Sequence, residues 1–135
     1  MPPLLTYLCI KSKIMDSTCE IPRWQQLKQQ IVNLTPLEFQ KAIENKDADL
    51  ILIDVRTAQE RTLGTIPTSI HIDYLAEGFL DTIEQLDRNR SYYLFCRTGR
   101  RSVRTGILMK NWGFQHLFNL DGGLSSWERV FGKET

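Results

Sequence analysis

Short apolar runs alternate along this chain with longer stretches that carry a helical stripe. Leu50–Ile53 and Tyr92–Phe95 are almost wholly apolar or aromatic, the mark of strands buried on both faces of a parallel sheet. Ile31–Leu34, Ser69–Ile72 and Leu117–Leu120 add three more strand candidates. Between them, Phe39, Ala42 and Ile43 form one buried helical stripe, and Phe79, Leu80, Ile83 and Leu86 mark a second amphipathic helix. A third begins at Ser102, with Val103, Ile107 and Met109 at its core side and Gly106 allowing close packing. A last helix over Ser125–Val130 buries Trp127.

The ends of these elements are well marked. Thr35-Pro36-Leu37-Glu38 supplies a cap, a first-turn proline and a capping box. Thr57 and Glu60 repeat the box, and Gly64 closes the short helix they open. Asn45–Asp49 and Asp87–Ser91 are polar exits, and Gly113 follows Trp112 where a helix ends. Strands and helices thus alternate about five times, which predicts an α/β fold with a mostly parallel, roughly five-stranded sheet and helices on both faces. The regular pattern occupies residues 31–135. Residues 1–30 read as an N-terminal extension, in which Trp24, Leu27 and Ile31 fall at helical spacing. A short helix docked on the domain is the simpler account of it, and a partner-binding segment the sharper one.

With 135 residues the chain has room for one domain with a real core. Its 41% hydrophobic and 24% charged composition is that of a globular protein, and a net charge of +1 implies no bulk attraction to nucleic acid or membrane. No apolar run approaches the length of a membrane span. Pro2–Ile10 is apolar but lacks a basic stretch before it, which argues against a signal peptide, and Met15 is an alternative start. Three cysteines, Cys9, Cys19 and Cys96, make no disulfide framework, so a reducing, cytoplasmic compartment is expected. His71 and His116 lie far apart and no Cys-x-x-Cys pair occurs, so neither a metal nor a cofactor is expected. His71, alone in a strand, is read as a packed or hydrogen-bonded residue.

The chemistry concentrates at Cys96. Strand, tight polar loop and helix in succession put it at the carboxyl end of a strand and the foot of a helix, where open parallel sheets bind ligands. Loop amides and the first unpaired helix N–H groups can converge above it, and the helix dipole adds positive character. Arg97, Arg100, Arg101 and Arg104 add full charges, with no acidic residue before Asp121. Each effect favours thiolate over thiol. A nucleophile in an anion cradle suits an anionic substrate that reacts with sulfur. Gly99 serves a turn that other residues resist. Asp54 and Arg56, at the end of another strand, are read as structural, held by backbone or by neighbouring groups.

Cys96-Arg97-Thr98-Gly99-Arg100-Arg101-Ser102 resembles the active-site loop of single-domain rhodaneses, which are sulfurtransferases. Leu52-Ile53-Asp54-Val55-Arg56 resembles the early strand of that family. Asn119-Leu120-Asp121-Gly122-Gly123 followed by Trp127 resembles its late signature, and the likeness spans roughly residues 31–132. Gly64-Thr65-Ile66-Pro67-Thr68-Ser69 departs from the usual Gly-His-Ile-x-Gly-Ala. The resemblance implies a three-layer rhodanese-like domain. It also implies that Arg101 braces the loop.

Phosphatases of related fold use a loop one residue longer than the four residues that separate Cys96 from Arg101 here. The shorter loop makes a cradle sized for one added sulfur, not for a tetrahedral oxyanion. A phosphatase also needs a general acid, for which Asp121 or Asp73 is at best a nominal choice. The resulting expectation is transfer of a sulfane sulfur from a donor such as thiosulfate, through a Cys96 persulfide, to cyanide or a thiol. In this scheme Cys96 is catalytic, and Arg97, Thr98, Gly99, Arg100 and Arg101 bind the donor. Partners are small-molecule donors and acceptors, with a thiol protein such as thioredoxin among the acceptors. Cys9 and Cys19 enter only as thiols that could resolve the persulfide. Two other readings stay open: a non-catalytic interaction module, and a phosphatase or arsenate reductase of the related fold.

Overall fold

A computed structural model describes residues 22–45 and 49–133. Cys9 and Cys19 and part of the Asn45–Asp49 turn lie outside the described residues. In chain order the elements are α1 (Arg23–Lys28), β1 (Val32–Leu34), α2 (Pro36–Glu44), β2 (Leu50–Asp54), α3 (Ala58–Arg61), β3 (Ile70–His71), α4 (Phe79–Glu84), β4 (Ser91–Phe95), α5 (Arg100–Asn111), β5 (His116–Leu120) and α6 (Gly123–Phe131). The five strands form one sheet in the order β1-β5-β4-β2-β3. Every pairing is parallel.

Alternation along each strand decides which helices it meets. Ile53 and Val55 of the β2 segment join Tyr92, Leu94 and Leu117 under Ile83 of α4 and Met109 of α5. Leu52, Phe95 and Leu120 face the opposite layer, where they pack on Phe39 of α2 and Trp127 of α6. Phe39 is edge-on to both Tyr93 and Trp127, at 5.5 and 6.3 Å between ring centres. Each such fully buried side chain contributes about 1.5–3 kcal/mol. Both capping boxes form as the sequence predicts, with Thr35 and Glu38 opening α2 and Thr57 and Glu60 opening α3.

Two helices begin earlier than the apolar pattern suggests. α5 starts at Arg100 and not Ser102, because Gly99 adopts a left-handed conformation (φ 96°) and turns the chain straight into the helix. α6 starts at Gly123 and not Ser125, because Gly122 makes a similar turn. The first turn of α5 carries no apolar residue before Val103, so periodicity does not register its start; in α6 Leu124 is buried in step with Trp127, a signal the pattern did contain. α1 buries none of its own residues. It is held by polar contacts: Lys28 Nζ donates to Asp121 Oδ1 at 2.5 Å, and Asn33 Nδ2 donates to the Lys28 carbonyl at 2.7 Å. No helix among the described residues is long and apolar enough to cross a membrane.

Candidate active site

The order of the sheet selects one place for a ligand. From β2 the chain moves outward to β3, whereas from β4 it moves the other way to β5. The neighbouring carboxyl ends of β2 and β4 therefore flank the crevice where connections diverge. Phe95 ends β4 in register with Asp54, and Cys96 is the next residue.

Cys96 is 1% exposed and lies at the floor of its own loop. The Gly99 amide donates to Sγ at 3.1 Å and the Ser102 amide at 3.4 Å, with Ser102 Oγ also 3.4 Å away. The amides of Arg100 and Arg101 belong to the first turn of α5, before its ladder starts with Val103 N–H donating to the Gly99 carbonyl. The positive end of α5 is thus aimed at the sulfur, and this combination stabilises negative charge there.

A second helix holds the loop from outside. The amides of Leu124 and Ser125 in the first turn of α6 donate to the carbonyls of Cys96 (2.8 Å) and Arg97 (3.0 Å). Helix N–H groups that would otherwise lack partners thereby fix the two carbonyls that follow the Cys96 side chain. A Cβ on Gly123 would stand 2.6 Å from the Arg97 carbonyl carbon and oxygen and from the Cys96 carbonyl oxygen. That close approach accounts for Gly123, whereas a Cβ on Gly122 would meet the Ser126 side chain.

The arginines of the loop have partners of their own. Arg101 makes a two-pronged pair with Glu60, at 2.7 and 2.8 Å. The hydrogen bond from Arg101, more than any other influence, holds the Glu60 carboxyl down at about 2, while burial works the other way. Arg101 is pushed up in turn, first by that bond and to a lesser extent by the nearby Cys96 sulfur and Asp54. The guanidinium of Arg100 lies over the Trp24 ring at 4.6 Å, and Arg97 reaches Glu128 at 3.6 Å. Thr98 is exposed on the loop. Arg101 therefore ties the loop to α3, and Arg97 and Arg100 stand at its rim.

Asp54 and Arg56 pair directly with one another, a closer arrangement than the sequence implies. Arg56 Nε and Nη2 donate to the Asp54 carboxylate at 2.9–3.2 Å, with both residues fully or almost fully buried. Arg61 and Thr65 also donate to Asp54, and His71 Nε2–H donates to the Arg56 carbonyl at 2.8 Å. Asp54 is committed to these structural bonds. A depression of about 590 Å³ beside β2, lined by Ile43, Leu50, Ile66 and Trp127 among others, does not include Cys96 or its loop.

Sequence reasoning missed three contributors. Glu60 is visible only as half of a capping box, which conceals its bond to Arg101. Ser102 looks like a helix start and is also a neighbour of the sulfur. Asn119 is polar within the apolar run Leu117–Leu120, a signal that could have marked it. It is 1% exposed, and its Oδ1 accepts from Ser102 Oγ at 2.5 Å.

Known proteins resemble this arrangement along most of its length. Residues 35–130 match the family described as the rhodanese-like domain. YtwF of Bacillus subtilis (strain 168) is 35% identical over 82 residues, which cover 61% of this chain and 77% of that protein. The thiosulfate sulfurtransferase GlpE of Pseudomonas savastanoi pv. phaseolicola is 29% identical over 100 residues, covering 74% of this chain and 91% of the relative. The crystal structure of a rhodanese-like domain protein from Staphylococcus aureus superposes with a TM-score of 0.63 at 25% identity, over 72% of this chain and 91% of that one.

Proposed function

The chain belongs to the rhodanese-like domain family, and on that footing we propose that it is a sulfurtransferase that carries sulfane sulfur on Cys96. The observation that carries this reading is the position of Sγ, which accepts from the Gly99 and Ser102 amides at the foot of α5. A thiolate there attacks the outer sulfur of thiosulfate. A new sulfur–sulfur bond forms to Cys96, the bond to the sulfite sulfur breaks, and sulfite leaves with the electron pair. The added sulfur is then the anionic atom. The amides from Arg97 to Arg101 line the space above Sγ in which it would lie. Cyanide or a thiolate attacks that outer sulfur, and Cys96 leaves as thiolate.

Arg97 and Arg100 at the rim attract the anionic donor, and Thr98 and Gly99 shape the entrance. Arg101 acts by holding the loop to Glu60. This pairing also disfavours a phosphatase, since two nitrogens of the guanidinium are already bound to the Glu60 carboxylate. The presence of the whole loop, nucleophile included, supports a transferase over an inert interaction module.

Thiosulfate treatment of the full chain should add the mass of one sulfur to the Cys96 peptide, and subsequent cyanide should remove it as thiocyanate. Cys96→Ser should lose both steps while keeping its thermal transition. An unmodified Cys96 at saturating thiosulfate, and equally with a persulfide donor, would reject the proposal.

A further inference from the structure

A line of side-chain amides, from half-buried Asn33 to buried Asn119, runs behind the sulfur, away from the cradle. Asn33 on β1 and Asn119 on β5 are paired in register across the sheet. Asn33 Nδ2 donates to two carbonyls, Lys28 at 2.7 Å and Ile31 at 3.1 Å. A carbonyl can only accept, so these two contacts fix which end of the Asn33 amide is nitrogen. Asn33 Oδ1 must then face Asn119, which presents Nδ2 to it at 3.0 Å. Asn119 Oδ1 is left facing Ser102, whose hydroxyl is 2.5 Å away.

The Ser102 hydroxyl has one hydrogen and three acceptors in reach: Asn119 Oδ1, the Gly99 carbonyl at 3.1 Å and Cys96 Sγ at 3.4 Å. Spending it on either of the latter two would leave the buried Asn119 oxygen against a lone pair of Ser102, an unmade bond of appreciable cost. We propose that Asn33 and Asn119 are positioning residues that keep the Ser102 proton turned away from Cys96, so that Ser102 shows the sulfur a lone pair.

The consequence is selective among the states of the sulfur. A thiol can donate its S–H to that lone pair. A bare thiolate meets it unfavourably. In a persulfide the charge has moved to the outer sulfur, and the contact with Sγ no longer opposes it. The relay therefore disfavours the empty thiolate relative to the loaded form, which tilts the enzyme toward accepting sulfur. This last step rests on the transferase reading above; the orientation of the hydroxyl does not. Asn33 and both anchoring carbonyls precede residue 35, outside the span matched to the family.

The test uses alkylation of Cys96 by iodoacetamide in the full chain across a pH series, with the modified peptide read by mass spectrometry so that Cys9 and Cys19 are counted apart. Asn33→Ala releases the Asn119 amide to turn and support a Ser102 hydroxyl that now donates to the thiolate. The pH profile should move to lower pH, with alkylation about five- to tenfold faster below the wild-type midpoint, hydrogen bonds to charged groups being the stronger kind. Asn119→Leu should act in the same direction. In a Ser102→Ala background Asn33→Ala should change nothing. The charged groups around the loop, Arg97 with Glu128, Arg100 over Trp24, Arg101 with Glu60, Asp54 with Arg56 and Arg61, and Asp121 with Lys28, are left unsubstituted in all of these variants. An unchanged or upward-shifted profile in a cooperatively folded Asn33→Ala overturns the proposal, as does a shift that persists without the Ser102 hydroxyl. Failure of both thiosulfate and a persulfide donor to load Cys96 would strike the transferase reading alone, because alkylation needs only a thiol.

Discussion

Replacing Gly123 by alanine tests the idea that α6 clamps the nucleophile loop. Gly123 has φ 65°, and a Cβ there meets backbone atoms of Cys96 and Arg97 at 2.6 Å, none of which can swing aside. Gly113 is the control: its φ is 96°, also left-handed, but nothing lies within 4 Å of an added Cβ. Conformational strain alone, about 1–2 kcal/mol, should be the whole effect of Gly113→Ala. Gly123→Ala adds a displacement that breaks the Leu124–Cys96 and Ser125–Arg97 bonds, at about 1 kcal/mol each. Its total is then about 3–4 kcal/mol. At roughly 4 °C per kcal/mol for a chain of this size, the melting temperature should fall by about 12–16 °C for Gly123→Ala and by about 4–8 °C for Gly113→Ala. Sulfur transfer measured well below both transitions should fall about a hundredfold in Gly123→Ala, since an ångström of misplacement is worth that much. It should survive in Gly113→Ala. Equal stability losses in the two variants, or near-normal turnover in Gly123→Ala, would refute the clamp.

Asp54→Asn should lower stability to urea by about 3–5 kcal/mol, because the buried Arg56 would lose its charged partner; a loss below about 1 kcal/mol would show that Arg56 finds other bonds. Glu60→Gln keeps an acceptor for the capping box but removes the charge opposite Arg101, a change of about 1 kcal/mol at neutral pH for a partly exposed pair. The Glu60 carboxyl titrates near 2 in the fold against 4.5 ordinarily. The stability it adds is therefore fully present above about pH 4.5 and fades as the pH falls toward 2. Urea titrations of the wild type and Glu60→Gln should converge over that window, and a gap that stays constant down to pH 2 would contradict the pairing.

The alternation of apolar runs with helical stripes was enough to specify a parallel α/β sheet, because burial on both faces leaves a continuous apolar mark on the inner strands β2 and β4. A candidate nucleophile was legible too: Cys96 lies between an apolar strand and a glycine turn, with arginines close by. Local pairs such as Thr57 with Glu60 could be read because their partners stand three residues apart. The sequence was silent wherever a contact closes over a long stretch of chain. Glu60 and Arg101 are 41 residues apart, and no local pattern signals that they meet. Nor does any signal that Asp121-Gly122-Gly123 turns so that the amides of α6 close on the carbonyls of Cys96 and Arg97. The direction of the Ser102 proton is set by two backbone carbonyls near α1, through two asparagines that only sheet register brings side by side. Local chemistry thus singled out Cys96 as the candidate reactive residue, and tertiary structure alone decided how its sulfur is held, because hydrogen-bond direction depends on which groups the fold makes neighbours.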